Sequence, residues 1–172
     1  MDGESATNVV LLVLVFGHVL SAMGWLGGGL LNTLAVAPNL GKLSQAATLE
    51  FNTEVIPRMI GFVQATAGLT ILFGLLLLYY VYSQDSSYFS STSGMDVLVG
   101  IVLAVVAAAI AFSVAIPSFR KVSKLAASVL GGSQQAPPPE MMTHAKRARQ
   151  VSMIVVILLL ITLVAMVAAG IS

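Results

Sequence analysis

The chain has 172 residues, of which 58% are hydrophobic and 9% are charged, and its formal net charge is +1. A soluble domain carries about 25% charged residues, so a chain this poor in charge suits lipid better than water. The small net charge argues against nucleic acid as a partner, because nucleic acid is bound by a strongly basic face. The absence of cysteine excludes disulfides, zinc–thiolate sites and iron–sulfur clusters.

Four apolar stretches are long enough to cross a bilayer, which takes about 20 residues. In chain order, spans 1 to 4 are predicted over residues 9–37, 59–82, 97–116 and 151–171. Asp2 and Glu4 precede span 1 without any Lys or Arg, whereas a signal peptide starts with a basic region. Span 1 is therefore predicted to be retained, and the chain to form a single all-α transmembrane domain, a four-helix bundle in the lipid bilayer.

The basic residues predict the orientation of the spans. All eight lie between spans 1 and 2 or between spans 3 and 4: Lys42, Arg58, Arg120, Lys121, Lys124, Lys146, Arg147 and Arg149. Because basic segments stay in the cytoplasm, we predict a multi-pass protein of the cell membrane with both termini extracytoplasmic. Aromatic residues from Tyr79 to Phe89 gather at the opposite end of span 2, as in an interfacial belt.

Two segments follow span 3 before span 4 begins. Residues 117–130 place their apolar side chains on one helical face. This pattern predicts either a cytoplasmic continuation of span 3 or an amphipathic helix touching anionic lipid headgroups. Residues 131–140, GGSQQAPPPE, contain three consecutive prolines and predict an extended cytoplasmic connector.

The segments that follow spans 1 and 3 are alike. Residues 38–44 read PNLGKLS and residues 117–123 read PSFRKVS, so proline, lysine and serine coincide. The likeness indicates two tandem two-helix units, which would share one orientation because each has an even number of spans. The alternative is that the likeness is coincidental, since helix ends often carry proline and lysine.

Span 1 carries an unusual polar stripe. Its members fall at helical spacing on one face: His18, Ser21, Trp25, Gly28, Gly29 and Asn32. Lipid cannot hydrogen-bond polar groups, so we predict that this face points into the bundle. In span 2, Gln64 shares a face with Gly61 and Gly68. We predict that Gln64 points inward and is the partner of the polar stripe of span 1.

His18 is the strongest candidate for chemistry. It lies about ten residues into span 1, which is roughly 15 Å deep, and an ionisable group at that depth suggests a function. A neutral imidazole can bind copper or a haem iron through its free nitrogen. It can equally form a hydrogen bond between two helices. Met59, Met153 and Met166 are predicted to be packing residues.

Arg58 allows two interpretations. It follows Glu54 by one helical turn, which favours an interfacial ion pair, but it is also able to reach into the bundle and bind a haem propionate.

The sequence patterns of self-contained enzymes are missing: the chain has no Walker motif, HExxH, nucleophile elbow or Rossmann glycine pattern. We therefore assign no catalytic residue.

Residues of spans 1 and 2 occur in a recognisable order: His18, Trp25, Gly27, Gly28, Pro38, Arg58 and Gly74. This order resembles the CopD-like (copper-resistance protein D-type) membrane proteins and a related group of small four-helix proteins. The chain is also similar in outline to the HemJ-type haem-synthesis oxidase, whose membrane lysine has no counterpart in span 3. The resemblance implies copper handling or haem binding.

Three functions follow as hypotheses. In the first, a CopD-like protein binds haem b or copper through His18, with Trp25, Arg58 and Gln64 in support, for metal handling or electron transfer. In the second, the chain is a non-catalytic accessory subunit of a larger membrane complex such as an oxidase or monooxygenase. A small transporter, built as a homo-oligomer, is a third option.

Overall fold

The computed structural model describes the backbone of residues 3–171 and the side chains of residues 9–171. Asp2 and the C-terminal Ser172, whose extracytoplasmic location is predicted, lie outside the described residues. Four helical rods are long and apolar enough to cross a membrane: Val9–Leu40, Gln45–Gln84, Thr92–Leu130 and Pro139–Ala169. The part of the chain that the structure describes contains no strand. The predicted all-α, four-helix, multi-pass membrane fold is therefore confirmed.

Spans 1 and 3 are each built from three helical pieces. The elements are, in order, α1 (Gly3–Leu30), a π-helical turn (Leu31–Val36), α2 (Ala37–Leu40), α3 (Gln45–Gln84), a 3-10 turn (Tyr88–Ser90), α4 (Thr92–Ile110), a second π-helical turn (Ala111–Ala115), α5 (Ile116–Leu130) and α6 (Pro139–Ala169). Span 1 thus runs through α1 and α2, and span 3 through α4 and α5. Span 2 is α3 and span 4 is α6.

The helices extend beyond the predicted spans at the end that carries the basic residues, here called the basic end. Helix α3 has 40 residues, or about 60 Å, against about 30 Å for the hydrocarbon core. It begins at Gln45, where the Ser44 hydroxyl accepts a hydrogen bond from the Ala47 N–H at 3.3 Å. The predicted connector 131–140 is also shorter, because Pro139 opens α6. Proline is tolerated there because the N–H groups of the first helical turn have no partner within the helix, so the N–H that proline lacks is not needed.

The spans pack as two pairs. Span 1 lies along span 2, forming the first pair, and span 3 lies along span 4, forming the second pair. The pairs meet mainly where α5 packs on α3, and span 1 touches span 4 less extensively. The central core is built from one tryptophan among small and branched residues: Trp25, Ala67, Ala107, Ala108, Ala111, Val155 and Leu159.

A second core lies at the basic end, where α3, α5 and α6 project together. Val122 and Ala126 of α5 pack against Leu49 of α3 and Met141 of α6. The apolar face predicted for residues 117–130 is therefore covered by neighbouring helices, as a continuation of span 3 requires. Its position leaves no apolar face of α5 free to lie on a membrane surface.

The opposite end, which we call the aromatic end, holds the connector from span 2 to span 3. The Asp85 carboxylate accepts hydrogen bonds from the Ser87 N–H at 2.8 Å and the Ser87 hydroxyl at 2.6 Å. These bonds lower the pKa of Asp85. Phe89 stacks on Tyr82 with ring centroids 6.5 Å apart and meets the ring of Tyr88 edge-on at 5.2 Å. The connector thereby closes the aromatic end of the bundle.

The two π-helical turns occupy matching places. The first ends at Val36, two residues before Pro38, and the second ends at Ala115, two residues before Pro117. Proline has no N–H, and its ring crowds the carbonyl four residues back, so the helix widens in front of it. In each turn the residue before the proline donates its N–H to the carbonyl five residues back. This coincidence supports the tandem repeat, which stays a prediction.

Candidate functional site

The polar stripe of span 1 points into the bundle, as predicted. Ser21 and Trp25 are only 6% and 3% exposed. A Cβ placed on Gly29 would lie 3.1 Å from Val156 of span 4, and Asn32 lines a cavity at the centre of the bundle. The stripe therefore faces spans 2 and 4.

His18 holds one defined hydrogen bond to span 2. Its Nδ1 lies 3.0 Å from the backbone carbonyl oxygen of Thr70. Since a carbonyl oxygen only accepts, Nδ1 carries the proton and donates, which leaves the lone pair of the neutral ring on Nε2. Nε2 has no hydrogen-bond partner among residues 9–171, whose side chains the structure describes. Histidines that bind metals are commonly oriented in this way, with one ring nitrogen on a backbone carbonyl and the other free.

Gly74 makes room for this arrangement. It lies one helical turn after Thr70, and a Cβ at Gly74 would come within 3.1 Å of His18 Cε1 and 3.3 Å of His18 Nδ1. Any larger residue would compete with the imidazole for the space beside the Thr70 carbonyl. Gly74 is therefore a positioning residue, which the sequence marked only through the CopD-like resemblance.

His18 lines a cavity between the four spans, here called the aromatic-end cavity. Its volume is about 350 Å³, within the range of about 300–1,000 Å³ typical of small-molecule sites. Span 1 contributes His18, span 2 Gly74, span 3 Ile101 and span 4 Met166, while Tyr88 lies on the connector. Most of the other lining side chains are aliphatic. The cavity therefore suits a predominantly apolar ligand.

Met166 is held in the second pair much as His18 is held in the first. A Cβ at Gly100 of span 3 would lie 2.7 Å from Met166 Cε and 3.2 Å from Met166 Sδ. A glycine on the neighbouring span thus makes room for each of the two side chains. The sequence analysis treated Met166 as a packing residue, and no local pattern distinguishes it from Met153.

The other predicted site residues lie away from the aromatic-end cavity. Trp25 is in the central core. Gln64, expected to face span 1, instead accepts a hydrogen bond from Arg120 of span 3, with Oε1 and Nη2 3.1 Å apart. Arg58 forms an exposed ion pair with Glu54, with Nη2 and Oε2 3.6 Å apart. Arg58 precedes Thr70 by 12 residues of one helix, about 18 Å, so it is not beside His18.

Gly61 and Gly68, expected to turn inward with Gln64, face outward. Both are exposed, and a Cβ on either would have no atom within 4 Å. The side of span 2 that carries them is therefore open to lipid, and the contact between spans 1 and 2 lies on another face of the helix.

The described residues do not form a cluster of the usual metal-binding side chains. No three or more His, Cys, Asp or Glu side chains gather among them, whereas zinc usually takes at least three protein ligands. Haem iron needs only one or two axial ligands from the protein, since the porphyrin supplies the other four. Thioethers bind copper(I), so the His18 and Met166 side chains that line the cavity are compatible with haem and with copper(I).

A second and smaller cavity lies at the centre of the bundle, where the two pairs meet. It has a volume of about 80 Å³ and is lined by Asn32, Ala111 and Ser152 among others. Asn32 and Ala111 are the carbonyl acceptors of the two π-helical turns, so matching positions of the two pairs meet here. Its wall is almost entirely apolar, and Asn32 and Ser152 are its polar residues.

No protein-family model, curated protein or solved structure matches this chain. The CopD-like resemblance of spans 1 and 2 stays an expectation from the sequence. The aromatic-end cavity, the hydrogen bond of His18 and the two glycine contacts support a site at this end of the bundle.

Proposed function

We propose that this protein binds haem in the aromatic-end cavity, with Nε2 of His18 as an axial ligand of the iron, and acts in electron transfer within the membrane. One observation carries the proposal. The hydrogen bond from His18 Nδ1 to the Thr70 carbonyl, at 3.0 Å, fixes the ring and leaves Nε2 free on a side chain that lines the cavity. The CopD-like resemblance supports the same interpretation.

The surrounding residues supply what a haem protein needs. The lining is largely aliphatic, and apolar surroundings of this kind are one way in which proteins set the potential of a haem. Gly74 keeps the space beside Thr70 open, so the imidazole cannot be pushed aside. When bound, haem supplies a one-electron carrier. Arg58 has no part in this proposal, because it lies about 18 Å along span 2 from Thr70 and pairs with Glu54.

The test is purification of the full chain in detergent from cells supplied with haem, followed by absorption spectroscopy and metal analysis of the same sample. We expect a Soret band and one haem per chain. His18→Ala should lose the haem. His144→Ala is the matched control, because His144 is the second histidine of the chain and lies in the first turns of α6 at the basic end.

Two results would overturn the haem proposal. One is folded wild-type protein without haem after growth with haem. The other is a His18→Ala protein that keeps the wild-type spectrum. Copper bound through His18 in the absence of haem would replace the proposal with a metal-ion site.

An accessory role is the second candidate, and a different observation favours it. Gly61, Ala65 and Gly68 are exposed along one side of span 2, and Gly61 and Gly68 have open space beside them. Small residues at this spacing let membrane helices approach closely. We propose that another membrane helix packs here if the chain serves in a larger complex.

Gly61→Leu combined with Gly68→Leu should then abolish co-purification or cross-linking of the partner. Gly27→Leu is the control, because Gly27 is also exposed and also has open space beside it. Identical association of all three proteins would exclude this surface as the contact.

A further inference from the structure

We infer that the thioether of Met166 is the second axial ligand of the haem, on the side of the iron opposite His18. The inference rests on the proposed function, because it requires haem in the aromatic-end cavity. It adds a residue of the second pair, and so makes the site a joint product of both helix pairs.

The composition of the cavity wall restricts the choice of ligand. Of the side chains that line the cavity, three carry a nitrogen, sulfur or oxygen atom able to bind iron: His18, Tyr88 and Met166. Tyr88 belongs to the connector and packs edge-on against Phe89, and as a ligand it would have to lose its phenolic proton. Met166 comes from within span 4 and needs no deprotonation to coordinate iron. It is therefore the better partner for the imidazole.

The two donors come from different pairs. His18 is on span 1 and Met166 is on span 4, and these two spans touch across the boundary between the pairs. Both side chains line the aromatic-end cavity, so one ligand in that cavity would be able to contact the imidazole and the thioether. Two axial ligands of one iron must share a cavity in this way.

Each donor has a glycine beside it on the other span of its own pair. A Cβ built on Gly74 would lie 3.1 Å from the His18 ring, and a Cβ built on Gly100 would lie 2.7 Å from Met166 Cε. The His18 ring is fixed by its hydrogen bond to Thr70. The methionine chain, unbranched and with three rotatable bonds, is able to swing from Gly100 to the iron. The fixed donor and the adaptable donor together accommodate a rigid, flat ligand.

Ligation by methionine has a spectroscopic signature that packing lacks. Methionine with histidine raises the potential of a haem. We expect the wild-type holoprotein to be six-coordinate and low-spin, with the far-red charge-transfer band of a methionine–iron(III) bond. Met166→Leu should keep its haem through His18 but lose that band, become high-spin and show a lower midpoint potential. Met153→Leu is the control, because Met153 is on the same span, is 40% exposed and does not line the cavity.

Met166→His provides a second measurement should the leucine variant fold poorly. It should restore a low-spin spectrum without the far-red band. A band that survives in Met166→His, or a Met166→Leu spectrum equal to that of the wild type, would overturn the Met166 inference while the haem proposal stands. Wild-type protein that binds no haem would overturn both.

Discussion

The two helix pairs share a backbone plan but differ in the side chains placed on it. Each pair has a π-helical turn ending two residues before a proline, and each has a glycine that accommodates a large side chain. The first pair carries buried polar groups, including Ser21 and Thr70, whereas the middle of span 3 buries Ala107 and Ala108. Alanine lets helices approach closely. The first pair therefore carries most of the buried polar residues, and the second pair contributes small, closely packed residues to the core.

The glycine contacts run in both directions in the first pair. Gly74 of span 2 faces His18 of span 1, and Gly17 of span 1 faces Phe73 of span 2. In the second pair Gly100 of span 3 faces Met166 of span 4, which is the direction of the Gly17 contact. Met166 therefore takes the place of Phe73 rather than that of His18 when the two pairs are compared.

The largest expected effect tests whether the first pair dominates the core. Trp25 is 3% exposed, and its replacement by alanine leaves a large void between both pairs, which in cores costs about 3–5 kcal/mol. Met23→Ala is the control, because Met23 is 67% exposed and should change stability by less than about 0.5 kcal/mol. Thermal or denaturant unfolding in detergent measures both variants. Equal stabilities would mean that Trp25 does not anchor the core.

A smaller effect is expected from the two glycines, and it compares the pairs directly. Gly74→Ala forces a methyl group against the His18 ring and disturbs its bond to Thr70, which we expect to cost about 1–2 kcal/mol. Gly100→Ala meets the flexible end of Met166, and we expect it to cost less than about 1 kcal/mol. Both values come from unfolding of the two variants in the same detergent. The reverse order would show that Met166 is held more rigidly than His18.

The sequence was sufficient to predict the four spans and the inward stripe, for physical reasons. Apolar length identifies a span, and polar residues at helical spacing must turn away from lipid. Span 2 is apolar on nearly every face, so no periodic signal sets its rotation. The predicted partnership of Gln64 with the stripe of span 1 was therefore wrong, and its hydrogen bond with Arg120 of span 3 was not foreseen.

Two further features lie beyond what a sequence pattern reveals. Hydropathy detects where a helix enters lipid but not where it begins in water, so the start of α3 at Gln45 was missed. Met166 is an ordinary apolar residue of an apolar helix. Its place in the wall of the aromatic-end cavity depends on how the two pairs dock, which is a property of the folded bundle.

The smallest expected effect concerns the prolines that follow the π-helical turns. Alanine restores the N–H that proline lacks, so the turn is free to tighten to an α-helix, and one added hydrogen bond stabilises by about 1 kcal/mol. Pro38→Ala should gain this hydrogen bond and its stabilisation, because only the four residues of α2 follow the turn and must rotate. Pro117→Ala should not, because Val122 and Ala126 of α5 are already packed at the basic end.

Backbone hydrogen exchange measures this difference between the pairs. Exchange over residues 31–40 should slow in Pro38→Ala, whereas exchange over residues 111–120 should stay unchanged in Pro117→Ala. Equal slowing in both variants would mean that proline alone causes both π-helical turns. Unchanged exchange in both variants would mean that packing between helices causes the turns, and each pair would then keep its π-helical turn without its proline.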